Sequence, residues 1–297
     1  MRPQQRIYRS AIIDSARWAA YNHRPADIFV CSPPKCGTTW MQTIVASLLW
    51  PDGNFPGAVI EMGTWFDARR IFDFDELMAR LEAQTHRRYI KTHTPADGIP
   101  IFDTASYIVV ARDGRDAFVS FVNHLQHMRD DLIERLNAEA VAQGINPVMK
   151  FRGDIHGFFD RWITDAPPLR HLASWWELRS EPNVLLVHYN DLLANLDGKM
   201  RRVAGFLNID IPPALWPGVV ERCTFDRMRA DADKVGDFER VFEGGAKSFL
   251  FKGTNGRWRE VLTEGELQRY QDRVEELLAP EAAYWLEHGS LLTSSRP

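Results

Sequence analysis

The chain is short of several things, and each shortage narrows what it can be. Only three of its 297 residues are cysteine (Cys31, Cys36 and Cys223). No CxxC pair and no Cys/His ligand spacing occurs. An odd and sparse set is no disulfide framework, so reduced thiols are expected and a structural metal is not. No long apolar run is present. The stretch near "TIVASLLW" is far too short to cross a bilayer, so no stable membrane insertion is expected. The opening "MRPQQRIYRSAIID" has no apolar signal core, and a cytoplasmic protein is the expectation. No charge of one sign dominates. Thirty-six Lys and Arg stand against 40 Asp and Glu, for a net charge of -4. Bulk electrostatics therefore give no reason to expect nucleic acid as a partner, and any anion site must come from a local cluster of basic groups. Internal repeats and low-complexity linkers are also missing, and the reading is one domain over 1–297.

Short β-branched strands alternate with helices along the chain. "DIFVCS" (27–32), "RRYIKTH" (87–93), "ASYIVVARD" (105–113) and "NVLLVHY" (183–189) read as buried strands. "GTTWMQTIVASLLW", "FDFDELMARLEAQ", "GRDAFVSFVNHLQHM" and "DLLANLDGKMRRVAGFLNI" read as helices, as does the C-terminal "TEGELQRYQDRVEELLAPEAAYWLEHG". The pattern predicts an α/β fold with a central, mostly parallel sheet flanked by helices on both faces. Residues 130–172 read as a polar, irregular insertion, and 232–257 as a Gly- and charge-rich segment. Both are long for simple connections and suggest lids over an acceptor or a nucleotide.

Four short segments carry chemistry. "CSPPKCGTTW" (31–40) joins a strand to a helix N-terminus, where unpaired N–H groups and the helix dipole favour an anion. Lys35 adds a charge, and Thr38 and Thr39 add hydroxyls. The Walker spacing is not met, because the lysine precedes Gly37 by two positions. The competing reading is a capped helix beside an unrelated lysine. "RYIKTHTP" ends a strand on Lys91 and His93, and His93 has the pKa range of a general base, although a lone histidine is as easily a core residue. "ARDGRDAFVS" puts Arg112 at a strand end with Ser120 two turns along the next helix, so both could hold one phosphate. Alternatively Asp113 caps that helix and Arg112 pairs with Asp116. "FKGTNGRW" (251–258) sets Lys252 among glycines, as either a flexible clamp or a solvated turn.

Taken together, the four segments resemble the cytosolic-type sulfotransferases, with a likeness to bacterial members in "HRRYIKTHTP". These enzymes use 3′-phosphoadenosine 5′-phosphosulfate (PAPS). "PPKCGTTW" is similar to the family's YPKSGTTW, "KTHTP" to its KTHLP and "FKGTNGRW" to its RKGxxGxW, in the family's order. The resemblance implies sulfuryl transfer from PAPS to the hydroxyl of a phenol, alcohol, lipid or glycolipid, leaving PAP, with no metal. It implies that Lys35, Cys36, Gly37, Thr38, Thr39 and Trp40 hold the 5′-phosphosulfate. Arg112 and Ser120 would hold the 3′-phosphate, with Lys252 and Gly253 closing over it. Trp40 and Phe225 would border the adenine, Met228 would follow in "CTFDRM", and Tyr189 would face the nucleotide. His93 is implied as the base, Lys35 as stabiliser of the leaving phosphate, and Lys91 as stabiliser of the transferring group. Trp65 and Phe66 are the preferred acceptor-pocket candidates among aromatics that include Phe72, Trp162, Trp175 and Trp176.

Three departures stand out. Cys36 replaces a common serine. Phe251 replaces the clamp arginine, so one 3′-phosphate contact is lost or supplied by another group such as Arg257. The family's dimer segment is not recognisable around "RWREVLTEGE", which leaves monomer and homodimer both open. A P-loop kinase would need a Walker lysine and a Mg²⁺-binding aspartate at a strand end. A nucleotide-binding regulatory module would bind PAP without turnover.

Overall fold

The computed structural model describes residues 1–69, 73–148, 150–151 and 153–290. Five strands form one sheet: β1 (Ile28–Cys31), β2 (Thr64–Trp65), β3 (Tyr89–Thr92), β4 (Ser106–Ala111) and β5 (Val184–His188). Their order is β2-β3-β1-β4-β5 and every pairing is parallel. The register aligns Cys31 with Thr92 on one side of β1 and with Val109 on the other. The carboxyl ends of all five strands therefore reach one edge of the sheet. The chain moves to one side of β1 for β3 and to the other for β4, which opens a crevice at that edge.

Alternation along each strand builds two cores. Ile28, Val30, Ile108, Val110 and Val187 face the helix Thr38–Leu49 through Met41, Ile44, Val45 and Leu48. Phe29, Cys31, Ile90, Tyr107 and Val109 face the opposite way, onto Trp18, Tyr21, Leu81 and Trp175. This period of two, with both faces covered, is why the strands carry unbroken apolar runs. A third cluster joins the helix Gly114–His127 to the C-terminal helices Glu264–Leu277 and Pro280–His288.

The structure corrects several sequence-based expectations. Residues 130–172 are mostly helical, with Asp130–Ala142, Ile155–Asp165 and the start of Pro167–Trp176 lying within them. Leu132, Ile133, Leu136 and Ala140 recur at helical spacing and are buried, as are Phe158, Phe159, Trp162 and Ile163. The single helix expected over 191–209 is two, Tyr189–Ala194 and Leu196–Phe206. Asn195 leaves helical geometry between them and accepts from the Gly198 N–H. The C-terminal pattern likewise breaks before Pro280. The two-residue strand β2 was not foreseen.

Candidate functional site

A cavity of about 480 Å³ opens at the carboxyl edge of the sheet. Each strand end contributes to it. After β1, Lys35 adopts a left-handed backbone (φ 67°), and so does Gly37 (φ 103°). A β-carbon on Gly37 would sit 2.9 Å from Cδ2 of Tyr189, so both the conformation and the close approach require glycine. Gly37 supplies no side-chain cap to the helix that starts at Thr38. Among the described residues, no carbonyl or side chain accepts from the N–H groups of 36–40. Such a row of unpaired donors at a helix N-terminus is an anion cradle. Lys35, Gly37, Thr38, Thr39 and Trp40 line the cavity, whereas Cys36 is fully buried beneath them. The Thr38 and Ser32 hydroxyls are hydrogen-bonded to each other.

The end of β3 presents Lys91 and His93. The His93 ring faces the Ser32 carbonyl through Nδ1 at 2.6 Å. A carbonyl only accepts, so Nδ1 carries the proton and the lone pair of neutral His93 lies on Nε2. Trp65, at the end of β2, supports both groups. Lys91 Nζ lies 3.9 Å from its ring centroid, and His93 meets the ring edge-on at 4.9 Å. Burial first, and then the Lys91 charge, hold His93 well below the usual histidine range.

Arg112, at the end of β4, lies over the Tyr189 ring at 4.4 Å. It donates from Nε to Asn255 Oδ1 (2.8 Å), and to the Thr254 (3.0 Å) and Lys35 (3.2 Å) carbonyls. Asp113 does cap the following helix, but Asp116 accepts from the Gly256 N–H at 2.8 Å and makes no ion pair with Arg112. The segment 251–257 is thus drawn against the end of β4. Gly253 (φ 64°) lies so near Phe225 that a β-carbon would stand 2.7 Å from the ring. Ser120, Tyr189, Phe225, Met228, Phe251, Lys252 and Gly253 all line the same cavity. Trp40 meets Tyr189 edge-on at 5.2 Å and donates from Nε1 to the Cys223 carbonyl at 2.7 Å.

The result is a concentration of positive charge in a chain of net charge -4. Burial, reinforced by Arg112 and Lys91, pushes Lys35 down to about 7. Burial pushes Lys91 down to about 8, with Asp67 working against it. Arg257 is also lowered, by burial and then by Arg112. These cations depress one another and are only partly offset by Asp67 and Asp116, a balance that suits an anionic ligand.

Two preferred aromatics part company here. Trp65 lines the cavity, but Phe66 does not. It is fully buried against Trp18, Tyr21 and Phe74, in the turn that follows β2. Trp162, Trp175 and Trp176 are core residues. Phe72 lies outside the described residues.

Other members of the site were not singled out in the sequence. Asp67 is fully buried under the β3 end. It accepts from the hydroxyls of Thr92 and Thr94, which flank His93, and from Trp18 Nε1. Burial raises its pKa, and those hydroxyls oppose the rise. Asn255 holds the fork of Arg112. His124 also lines the cavity, and its position four residues after Ser120 on one helix was the available signal.

A doubly covered parallel sheet with an anion cradle after its central strand is an α/β fold whose ligand crevice lies at the carboxyl edge. Residues 25–280 match the family described as Sulfotransferase domain, and the chain belongs to that family. It is 32% identical over 310 aligned positions to a glycolipid sulfotransferase of Mycobacterium tuberculosis, covering 95% of this chain and 94% of the relative. It is 22% identical to human sulfotransferase 1C2, over 85% and 83% of the two chains. Among solved structures, mouse sulfotransferase SULT7A1 complexed with PAP superposes with a TM-score of 0.69 at 18% identity, over 91% of each chain. Retinol dehydratase in complex with androsterone and inactive cofactor PAP gives 0.65 at 22% identity, over 90% of this chain and 87% of that one.

Proposed function

We propose that the protein transfers a sulfuryl group from PAPS to a hydroxyl of an amphiphilic acceptor, with His93 as general base. The observation that carries this reading is His93 itself. Its Nδ1–H is committed to the Ser32 carbonyl, so Nε2 offers a lone pair to a cavity it shares with Lys35 and Lys91.

The residues present fit the nucleotide. Unpaired N–H groups at 36–40, two threonine hydroxyls and Lys35 suit the 5′-phosphosulfate. Arg112, Ser120, Lys252 and the Gly253 backbone suit the 3′-phosphate, and Arg257 takes the part of the arginine missing at Phe251. Trp40, Phe225, Met228 and Tyr189 offer ring and thioether surface to a base. When bound, PAPS supplies a sulfuryl group whose bond to the 5′-phosphate can be exchanged for a bond to the acceptor oxygen. His93 Nε2 takes the proton from that hydroxyl as it attacks. Lys35 stabilises the charge that grows on the phosphate oxygen, and Lys91 that on the transferring oxygens. Trp65 fixes Lys91 and His93 against drift. Support for PAPS comes from family membership and from the PAP held by the superposed proteins.

The cavity mixes apolar walls, such as Ile60, Leu132 and Phe242, with polar groups, which suits an acceptor with a hydrophobic body and a hydroxylated end. The name of the mycobacterial relative favours a glycolipid. We read 1–297 as one catalytic domain in which 130–172 and 232–257 border the acceptor and the nucleotide.

The test pairs His93→Ala with a sulfuryl-transfer assay and a PAP titration. Transfer should fall by about 10²- to 10⁴-fold, while PAP affinity stays within a few-fold. Near-normal turnover of an accepted hydroxyl would remove His93 from the reaction. A thermal-shift screen with PAP, ATP·Mg²⁺ and AMP tests the donor, and a shift confined to ATP·Mg²⁺ would replace sulfuryl by phosphoryl transfer.

A further inference from the structure

His124 is a second histidine in the cavity wall, and no step assigned so far uses it. It sits on the helix Gly114–His127, one turn beyond Ser120 and on the same face. Its ring is walled by aromatics. Phe242 meets it edge-on at 4.8 Å, Phe121 lies 6.0 Å away and Phe249 6.2 Å. Nδ1 is enclosed in the protein without a partner. Nε2 likewise has no protein partner among the described residues, so it is the nitrogen left to meet a ligand. The ring is close enough to Lys35 and Lys91 to feel their charges. Burial first, and then the Lys35 and Lys91 charges, keep it well below the ordinary histidine range and therefore neutral.

The two histidines differ in hydrogen-bond character. His93 has its proton tied to Ser32, so its free nitrogen accepts. For neutral His124, a proton on Nδ1 would be a buried donor facing aromatic rings with nothing to receive it. On Nε2 the same proton can be paired by water or by a ligand oxygen. His124 thus offers the cavity a donor where His93 offers an acceptor. An acceptor molecule that satisfies both must bring a hydroxyl for His93 and a second oxygen nearby for His124.

Resting on the sulfotransferase reading above, we propose that His124 is an acceptor-binding residue whose Nε2–H donates to a second oxygen beside the sulfated hydroxyl, and that it selects polyhydroxylated, sugar-like head groups over monohydric acceptors. Aromatic walls without His124 would accept any apolar alcohol of suitable width. With it, an acceptor lacking the second oxygen leaves a desolvated N–H unpaired, and a site built to pair a polar group rejects the analogue that lacks its partner.

The experiment measures kcat and KM for sulfuryl transfer to n-octyl β-glucoside and to 1-octanol, which share an alkyl body. The enzymes are the wild type, His124→Phe and His124→Gln, with PAP affinity measured alongside. The wild type is expected to favour the glucoside. His124→Phe should lower kcat/KM for the glucoside about tenfold more than for octanol, mainly through KM, because one net hydrogen bond is worth about that factor. His124→Gln, which keeps an N–H donor, should recover part of the difference, and PAP affinity should hold in both variants. Equal losses on the two acceptors would make His124 a packing residue and overturn the proposal. A wild type that prefers octanol, or that turns over neither compound while sulfating another monohydric acceptor, would overturn it too. If no hydroxyl is sulfated and PAP fails to bind, the underlying transferase reading falls instead, so the two failures are told apart.

Discussion

Nucleotide binding should draw protons from solution, and the amount can be worked out from the depressed lysines. Lys35 titrates at about 7 and Lys91 at about 8 in the free protein. At pH 7.5, Lys35 is then about one-quarter charged and Lys91 about three-quarters charged. An anionic oxygen brought to about 4 Å of an ammonium at an effective dielectric of 20 contributes about 4 kcal/mol, or about three pKa units. That is enough to restore both lysines to full charge. PAP binding at pH 7.5 should therefore take up about one proton, of which Lys35 supplies the larger share. Uptake should shrink toward pH 6.5, where both lysines are mostly charged already, and grow toward pH 8.5, with affinity weakening as pH rises. Calorimetry in buffers of different ionisation enthalpy reads the number directly. Lys35→Met should leave about one-quarter of a proton at pH 7.5. The sign for stability also follows. Unfolded lysine titrates near 10.5, so between about pH 7 and 10.5 the unfolded chain holds more protons than the folded one, and Lys35 makes the free protein more stable as pH rises through that window. Lys35→Met should flatten that part of the climb in thermal midpoint. A proton count of zero at pH 7.5, or net release, would show that these lysines are not desolvated together in the free site and would refute the reasoning.

Three further outcomes test individual residues. Arg112→Ala should weaken PAP by about 1.5–3 kcal/mol more than it weakens adenosine 5′-phosphosulfate, which lacks the 3′-phosphate; equal losses would put the guanidinium elsewhere. Phe251→Arg should tighten PAP at low salt and less so at high salt, because Phe251 is 40% exposed and a charge there is screened; weaker binding would identify Phe251 as a packing residue and leave Arg257 as the group that already completes the site. Asp67→Asn removes a charge that holds the Lys91 pKa up, so the lysine should lose its proton at lower pH and the alkaline limb of kcat should move down; an unmoved limb would confine Asp67 to holding Thr92 and Thr94.

Much of this site was legible because its parts are local. The anion loop, "KTH" and Arg112 each close a strand whose apolar run is unbroken, so a strand end and a polar side chain are read together. Helical spacing made Ser120 possible, and the resemblance singled it out. What the sequence hid depends on contacts between distant segments. Phe66 stands beside Trp65 and looks equivalent, yet the chain turns after β2, and only the core formed by Trp18, Tyr21 and Phe74 decides that Phe66 is buried. Asp67 reads as a surface acid until Thr92 and Thr94 are seen to close over it. The helix Asp130–Ala142 reads as polar because its four buried positions are interleaved with Asp131, Glu134, Arg135 and Glu139, which mask the periodicity. His124 is a lone histidine in sequence and gains meaning only from the cavity it faces.

The contacts of Arg112 bear on how quickly the nucleotide can come and go. The guanidinium already bonds Asn255, Thr254 and the Lys35 carbonyl, so the segment 251–257 and the anion loop are fastened to the same side chain. On the proposed function, a phosphate arriving there competes with partners that are already in place. The net affinity gained at Arg112 is a difference between two sets of hydrogen bonds, whereas the barrier reflects the set that must first be undone. On the proposed function, the same contacts would slow PAP on its way out, so that Arg112 and Asn255 bear on nucleotide exchange as well as on affinity.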